Sequence, residues 1–200
     1  SFIQEYSKVY TGNINPVIAV EIATASRGME FPLHLYLVAP QGAGKNWSIN
    51  PIEKSFRSDE FITITASSPL GIIQKFKQDG TDLQGNVVWF KEIDSMPQGD
   101  NPLASGFREA TSGGRWIYVT TVPSKDGERE VVEYDAGGNF CLLVTGTKGQ
   151  GKVEKQALSR MFPIEIPIDY FQIDRVGKFT AREFMGLNTD KPEYKTLKDI

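Results

Sequence analysis

An apolar run that breaks into a turn of small residues is the feature that most constrains how this chain can fold. Residues 33 to 38 read Leu-His-Leu-Tyr-Leu-Val, and residues 39 to 45 read Ala-Pro-Gln-Gly-Ala-Gly-Lys. The apolar run is typical of a buried strand, and the small residues after it are typical of a tight loop. The pattern therefore predicts a strand, a glycine-containing loop and the start of a helix in direct succession.

A loop of this kind can bind an anion. Its backbone N–H groups and the N-terminus of the next helix surround one point, and a lysine can reach the outer phosphates of a nucleotide. The segment fits the pattern Ala/Gly-x-x-x-x-Gly-Lys-Ser/Thr from Ala39 to Lys45, but Asn46 stands where a hydroxyl group would hold Mg2+. The residues expected to bind ATP are Pro40, Gln41, Gly42, Ala43, Gly44, Lys45 and Asn46. ATP with Mg2+ is the expected ligand.

Composition and charge limit the classes of protein that remain. With 200 residues, 40% of them hydrophobic and 24% charged, the chain can bury the core of one domain. A net charge of −3 gives no general attraction for nucleic acid, so such contact would need a local patch or a ring of subunits. The single cysteine, Cys141, excludes an internal disulfide and is expected to be buried and inert. No apolar stretch approaches the roughly 18 residues of a membrane span, so a cytoplasmic protein without membrane contact is expected.

Strand and helix patterns alternate along most of the chain. Pro16 and the apolar residues after it predict a helix over 15–26, and a second helix is expected over 45–57, kinked or ended early by Pro51. Further helices are expected near 69–76, 103–111 and 153–161, and strands over 61–66, 86–93, 140–145 and 164–168. Such alternation implies a parallel sheet covered on both faces, which is an α/β fold.

A hairpin interrupts this alternation. Two β-rich runs, 115–122 and 128–134, are joined by a Pro- and Gly-containing turn that carries Lys125 near its tip. The tryptophans of the chain are expected to be core or interface residues, although Trp116 and Tyr118 on the hairpin could also touch nucleic acid.

Acidic residues end the strand predicted at 86–93. A carboxylate at such a strand end can hold Mg2+, and a second one can polarise the attacking water. The usual Asp-Glu pair is replaced by Lys91-Glu92, with Asp94 two residues later. Either Glu92 is the catalytic acid and the metal-binding acid is lost, or the register shifts and Glu92 and Asp94 share both roles. A solvated strand end without a catalytic role is the third interpretation.

Two further segments carry candidate catalytic groups. The strand at 140–145 ends in a polar cluster with Thr145 and Thr147, whose hydroxyls could orient the attacking water. Arg160 lies at a predicted helix end, where it could reach the γ-phosphate of a neighbouring subunit or serve only as a surface cation.

These segments in this order resemble the AAA+ superfamily. The resemblance rests on APQGAGKN at 39–46, VVWFKEID at 87–94, LLVTGTK at 142–148 and ALSRMF at 157–162. It implies a three-layer P-loop NTPase sandwich with a mainly parallel central sheet and an inserted β-hairpin. The core would span residues 1–170, followed by a C-terminal helical extension or the start of a lid over 171–200.

The position of the hairpin in the sequence indicates which members of that superfamily the chain resembles. In this position the hairpin is similar to the DNA-engaging hairpin of superfamily 3 viral helicases and minichromosome-maintenance helicases. The resemblance implies the ATPase motor domain of a viral, plasmid or mobile-element replicative helicase, acting as a homo-oligomeric, hexameric ring with DNA in its channel. The alternative is a degenerate nucleotide-binding module that assembles or regulates a replication or packaging complex with little hydrolysis.

Overall fold

The computed structural model describes residues 13–65, 69–91, 102–113, 115–123, 126, 128–147, 158–167 and 170–185. The helices of these residues are α1 (Asn15–Ala25), α2 (Lys45–Glu53), α3 (Pro69–Gln78), α4 (Pro102–Gly113) and α5 (Tyr170–Phe184). The strands are β1 (Leu35–Val38), β2 (Phe61–Ile64), β3 (Val87–Phe90), β4 (Arg115–Pro123), β5 (Arg129–Gly138), β6 (Cys141–Gly146) and β7 (Phe162–Glu165).

Five strands form one parallel sheet at the centre of the fold. Their order is β2-β3-β6-β1-β7, and every neighbouring pair runs parallel. Parallel neighbours require crossover connections, which the helices between the strands provide. The sheet order places β6 between β1 and β3, so the strand that carries Thr145 near its end lies between the strands that lead into the glycine loop and the acidic segment.

Alternate residues of each strand enter two separate hydrophobic clusters. Leu35 and Leu37 of β1 pack with α1 and α2, whereas Tyr36 packs with α3 and α4 on the other face. A sheet that is buried on both faces explains why these strands read as continuous apolar runs. The predicted three-layer α/β sandwich is therefore confirmed.

The inserted hairpin is made by β4 and β5, which pair antiparallel and form a sheet of their own. Its outer part is exposed, as the side chains of Val119 and Val131 show. At its base, Trp116 is 1% exposed and lies against the rings of Phe90 and Phe140. The expected core position of Trp116 is therefore confirmed, and the alternative of contact with nucleic acid does not hold for this buried indole. The side chain of Tyr118 and the tip residue Lys125 lie outside what the structure describes.

Several element boundaries differ from the predicted ones, among them those of α2 and β7. Helix α2 continues past Pro51 and ends at Glu53, because a proline in the last turn removes only one N–H donor from the helix. Strand β7 covers Phe162–Glu165 rather than 164–168, since its four residues pair with the four residues of β1. Most of the helix predicted over 153–161 lies outside the described residues. In the part of the chain that is described, no helix is long and apolar enough to cross a bilayer.

Candidate nucleotide-binding site

The glycine loop connects the carboxyl end of β1 to the first turn of α2. Gly42 and Gly44 both adopt left-handed backbone conformations, with φ of 80° and 88°, which favour glycine. Gly44 is also the N-cap of α2 and offers no side chain to the first helical N–H groups. No acceptor within the described part of the chain receives the N–H of Gly42 or Gly44. The loop therefore has N–H donors available for an anion.

Lys45 spans this loop. Its Nζ donates a hydrogen bond of 2.8 Å to the carbonyl oxygen of Ala39, the first loop residue. Ala39 is itself fixed, because it is fully buried and its N–H donates to Gly146 on β6. The ammonium group is thus held at the loop, next to the N-terminus of α2, where an anion would gain from both charges. The neighbouring Asn46 side chain is exposed.

The end of β6 lies beside the loop. The Thr145 side chain is buried, and its Oγ1 donates to the carbonyl oxygen of Phe90 at the end of β3. Thr147 follows β6 directly and is half-buried. The structure thus places both threonines at the carboxyl edge of the sheet, next to the strand that leads into the loop. In the resting state, the Thr145 hydroxyl links β6 to β3.

Lys91 is the first residue after β3, and its contacts could not be read from motif spacing. Its N–H donates to Ile64, which continues the ladder with β2. Its Nζ lies 4.1 Å from the centroid of the Trp89 ring, within the range of a cation–π interaction. The sequence did offer a sign of this contact, because the side chains of residues two apart on a strand, such as Trp89 and Lys91, lie on the same face. Glu92 and Asp94, the predicted acids, lie outside the described residues.

Magnesium does not fit the described residues at this edge. The positions that would supply its ligands carry Asn46 and Lys91. An ammonium group has three donors and no lone pair, so Lys91 cannot coordinate a cation and repels one nearby. Across the described residues, no group of three or more His, Cys, Asp or Glu side chains could hold a metal ion.

Arg160 lies at the opposite edge of the sheet. It precedes β7, and the strands are parallel, so it is at the amino ends of the strands while the glycine loop follows their carboxyl ends. Its Nη1 donates to the carbonyl oxygen of Arg108 and to the hydroxyl of Ser112, near the end of α4. Its side chain is exposed. Arg160 therefore cannot reach the loop of its own chain, and any role at a phosphate would be in a neighbouring subunit.

A cavity of about 730 Å³ also lies at the amino ends of β2 and β3. Its walls include two ion pairs, Arg57 with Asp59 and Lys75 with Asp79. The wall also contains Glu60 and Asp82, so its acidic side chains outnumber its basic ones and it does not favour an anion. It lies at the edge of the sheet away from the glycine loop.

Comparisons with known proteins agree with the fold. No family model and no curated protein matches the sequence. Among solved structures, the chain is similar to NtrX from Brucella abortus in complex with ATP, with 12% identity, a TM-score of 0.51 and coverage of 92% of this chain and 42% of NtrX. It is also similar to a protein from Cytophaga hutchinsonii to which ATPase activity has been ascribed, with 15% identity, a TM-score of 0.54 and coverage of 98% and 56%.

These likenesses define the class of fold. The chain shares the α/β fold of these two structures, with a parallel five-stranded sheet, which is consistent with the predicted P-loop NTPase fold. It corresponds to about half of the length of the two structures that it matches.

Proposed function

We propose that this chain is a nucleoside triphosphate-binding domain whose ligand is ATP. The observation that carries the proposal is the loop from Ala39 to Lys45, which offers unsatisfied N–H donors, a helix N-terminus and an ammonium group at one point. The likeness to NtrX, whose structure contains ATP, supports the same ligand. The Mg2+ that the fold class would imply is not part of this proposal, because the Lys91 ammonium repels a cation and Asn46 offers only one neutral amide oxygen.

The first test removes the lysine of the loop. Lys45→Ala is expected to weaken ATP binding measured by calorimetry by at least roughly ten- to hundredfold, since a contact between charged groups contributes about 1.5–3 kcal/mol and the loop also loses its bridge to Ala39. Lys54→Ala is the matched control, because Lys54 is an exposed lysine at the other end of the same helix. Unchanged ATP affinity in Lys45→Ala, with the fold intact by circular dichroism, would place the site elsewhere.

A DNA helicase motor is the more specific candidate. The inserted hairpin supports it, because β5 leads through a short turn into β6 and so ties the hairpin to the strand beside the loop. In this role Glu92 is the catalytic acid, Arg160 acts on a neighbouring subunit's nucleotide, and Lys125 contacts a DNA phosphate inside a hexameric ring.

A hydrolysis-poor module that assembles or regulates a replication or packaging complex is the second candidate. The observation that favours it is the pair Asn46 and Lys91, which replaces both usual magnesium ligands. ATP binding would then control assembly, and the energy of ATP hydrolysis would not be used. The two candidates share the binding site and differ in turnover.

A further inference from the structure

Lys91 lies on the same sheet face as the glycine loop. The ring of Trp89 is buried in the cluster that contains Ile49 of α2, and Ala43 of the loop packs against that cluster. The Lys91 ammonium is 4.1 Å from the centroid of that ring. The cation therefore stands on the α2 side of the sheet, above the aromatic ring that α2 covers.

The register of the strands gives the distance between Lys91 and the glycine loop. Phe90 is level with Val144 of β6, and Val144 is level with Tyr36 of β1. One residue further, Lys91 is level with Leu37, two residues before the loop begins at Ala39. Two strand spacings separate these rows, which is about 10 Å between backbones. A lysine side chain covers most of such a distance, so the ammonium can reach a phosphate held by the loop.

The charge of the Lys91 side chain is positive, whereas a metal site needs negatively charged ligands. In the register that aligns Lys91-Glu92 with the usual acidic pair, Lys91 stands where an acid would hold Mg2+, and Asn46 stands where a hydroxyl would do so. A triphosphate still requires counter-charge, since its oxygens carry about four negative charges that the loop's N–H groups only partly offset. Lys45 and Lys91 are two cations on the same face that can supply it.

We propose that the Lys91 ammonium replaces the divalent cation, so that the site binds a nucleoside triphosphate free of metal. This inference rests on the proposed ATP site and specifies how that site neutralises its ligand. In the structure the Lys91 ammonium lies over the Trp89 ring, on the same face of the sheet as the loop, and the side chain would extend from there to a bound phosphate. A metal-bound triphosphate, which brings a second cation toward Lys91, should bind less well.

The test is calorimetric titration of the protein with ATP in EDTA and again in excess MgCl2. We expect equal or tighter binding in EDTA. Lys91→Met should weaken binding in EDTA by roughly ten- to hundredfold, the loss expected for one charge-assisted contact. Lys77→Met is the matched control, because Lys77 also lies over an aromatic ring, Tyr134 at 4.7 Å, but on the other face of the sheet.

A gain-of-function variant gives a second readout. Lys91→Asp combined with Asn46→Thr restores an acid and a hydroxyl, and it should bind ATP weakly in EDTA and regain affinity with MgCl2. Three results would overturn the inference: parental binding that requires Mg2+, unchanged affinity of Lys91→Met in EDTA, or a double variant without Mg2+ dependence. Binding that requires Mg2+ leaves the proposed ATP site intact, whereas no binding under either condition overturns both.

Discussion

At the scale of single residues, His34 shows how burial controls charge. It precedes β1 and is 7% exposed, and its Nδ1 accepts a hydrogen bond of 3.2 Å from the N–H of Leu142. The ring is therefore neutral, with its proton on Nε2. Burial lowers the pKa of His34 to about 4 from its ordinary value of 6.5. The same burial raises the pKa of the Cys141 thiol, which confirms the predicted inert cysteine.

The lowered pKa of His34 predicts that the fold loses stability in mild acid. Between pH 6.5 and 4 the unfolded chain binds a proton at His34 that the folded chain does not, so this stability is complete above pH 6.5 and falls as the pH drops. From about pH 7.5 to about pH 5 the loss from this group is about 2 kcal/mol. Urea unfolding of the parent and of His34→Asn at both pH values measures it.

Asparagine suits this comparison because its amide oxygen can accept the Leu142 N–H without titrating. The free energy of unfolding of His34→Asn should therefore fall less in acid than that of the parent. An equal fall in both proteins would show that other groups cause the acid sensitivity.

At the scale of elements, the hairpin is joined to the sandwich by a close contact with α4. Gly106 faces the indole of Trp116, and a Cβ atom at Gly106 would stand 2.1 Å from its Nε1. The ring of Phe76 on α3 also meets this indole, edge-on at 6.0 Å between centroids. The glycine is thus required by the approach of the hairpin base and not by its own backbone.

Two helical glycines are expected to respond oppositely to alanine. Gly106→Ala should lower the free energy of unfolding by about 1–3 kcal/mol, because the new methyl group overpacks Trp116. Gly177→Ala in α5, where a Cβ meets nothing within 4 Å, should raise it by about 0.5–1 kcal/mol through helix propensity. Thermal or urea unfolding of the two variants measures the difference. A stabilised Gly106→Ala would mean that Trp116 does not pack on α4.

At the scale of the whole molecule, the proposed DNA contact would depend on repetition of a weak site. A net charge of −3 leaves no general basic surface, and one Lys125 per chain is a weak contact. In a ring the contacts multiply, and each neutralised phosphate adds to the salt dependence of binding. The alternative is a purely structural edge hairpin, whose lysine discourages aggregation between strands.

Charge reversal at Lys125 separates these roles. Lys125→Glu should lower DNA affinity at low salt and DNA-stimulated ATP turnover, while Lys178→Glu, an equal charge change on α5, should leave both unchanged. Turnover with and without DNA is measured alongside the mass in solution, and we expect Glu92→Gln to lower turnover to the baseline without catalysis. If the parent hydrolyses ATP no faster than this baseline, the hydrolysis-poor assembly module is the favoured function. Equal DNA affinity in Lys125→Glu and the parent would leave the hairpin a structural element.

The sequence by itself determined the local elements and the loop. Apolar runs such as Phe140 to Val144 read as buried strands because a parallel sheet is covered on both faces, and Gly42 and Gly44 read as a loop because few other residues adopt their backbone angles. These features depend on neighbours along the chain. The Asn46 and Lys91 departures were also visible in the sequence as breaks in a pattern.

Only the tertiary structure decided which of these residues meet. The position of β6 between β1 and β3 and the packing of Trp116 against Phe90 and Phe140 both depend on how distant segments pack. The end of β7 was likewise set by its partner β1, since a strand extends only as far as its neighbour offers hydrogen bonds. Long-range packing leaves a weak trace in sequence, because many apolar residues could fill the same space.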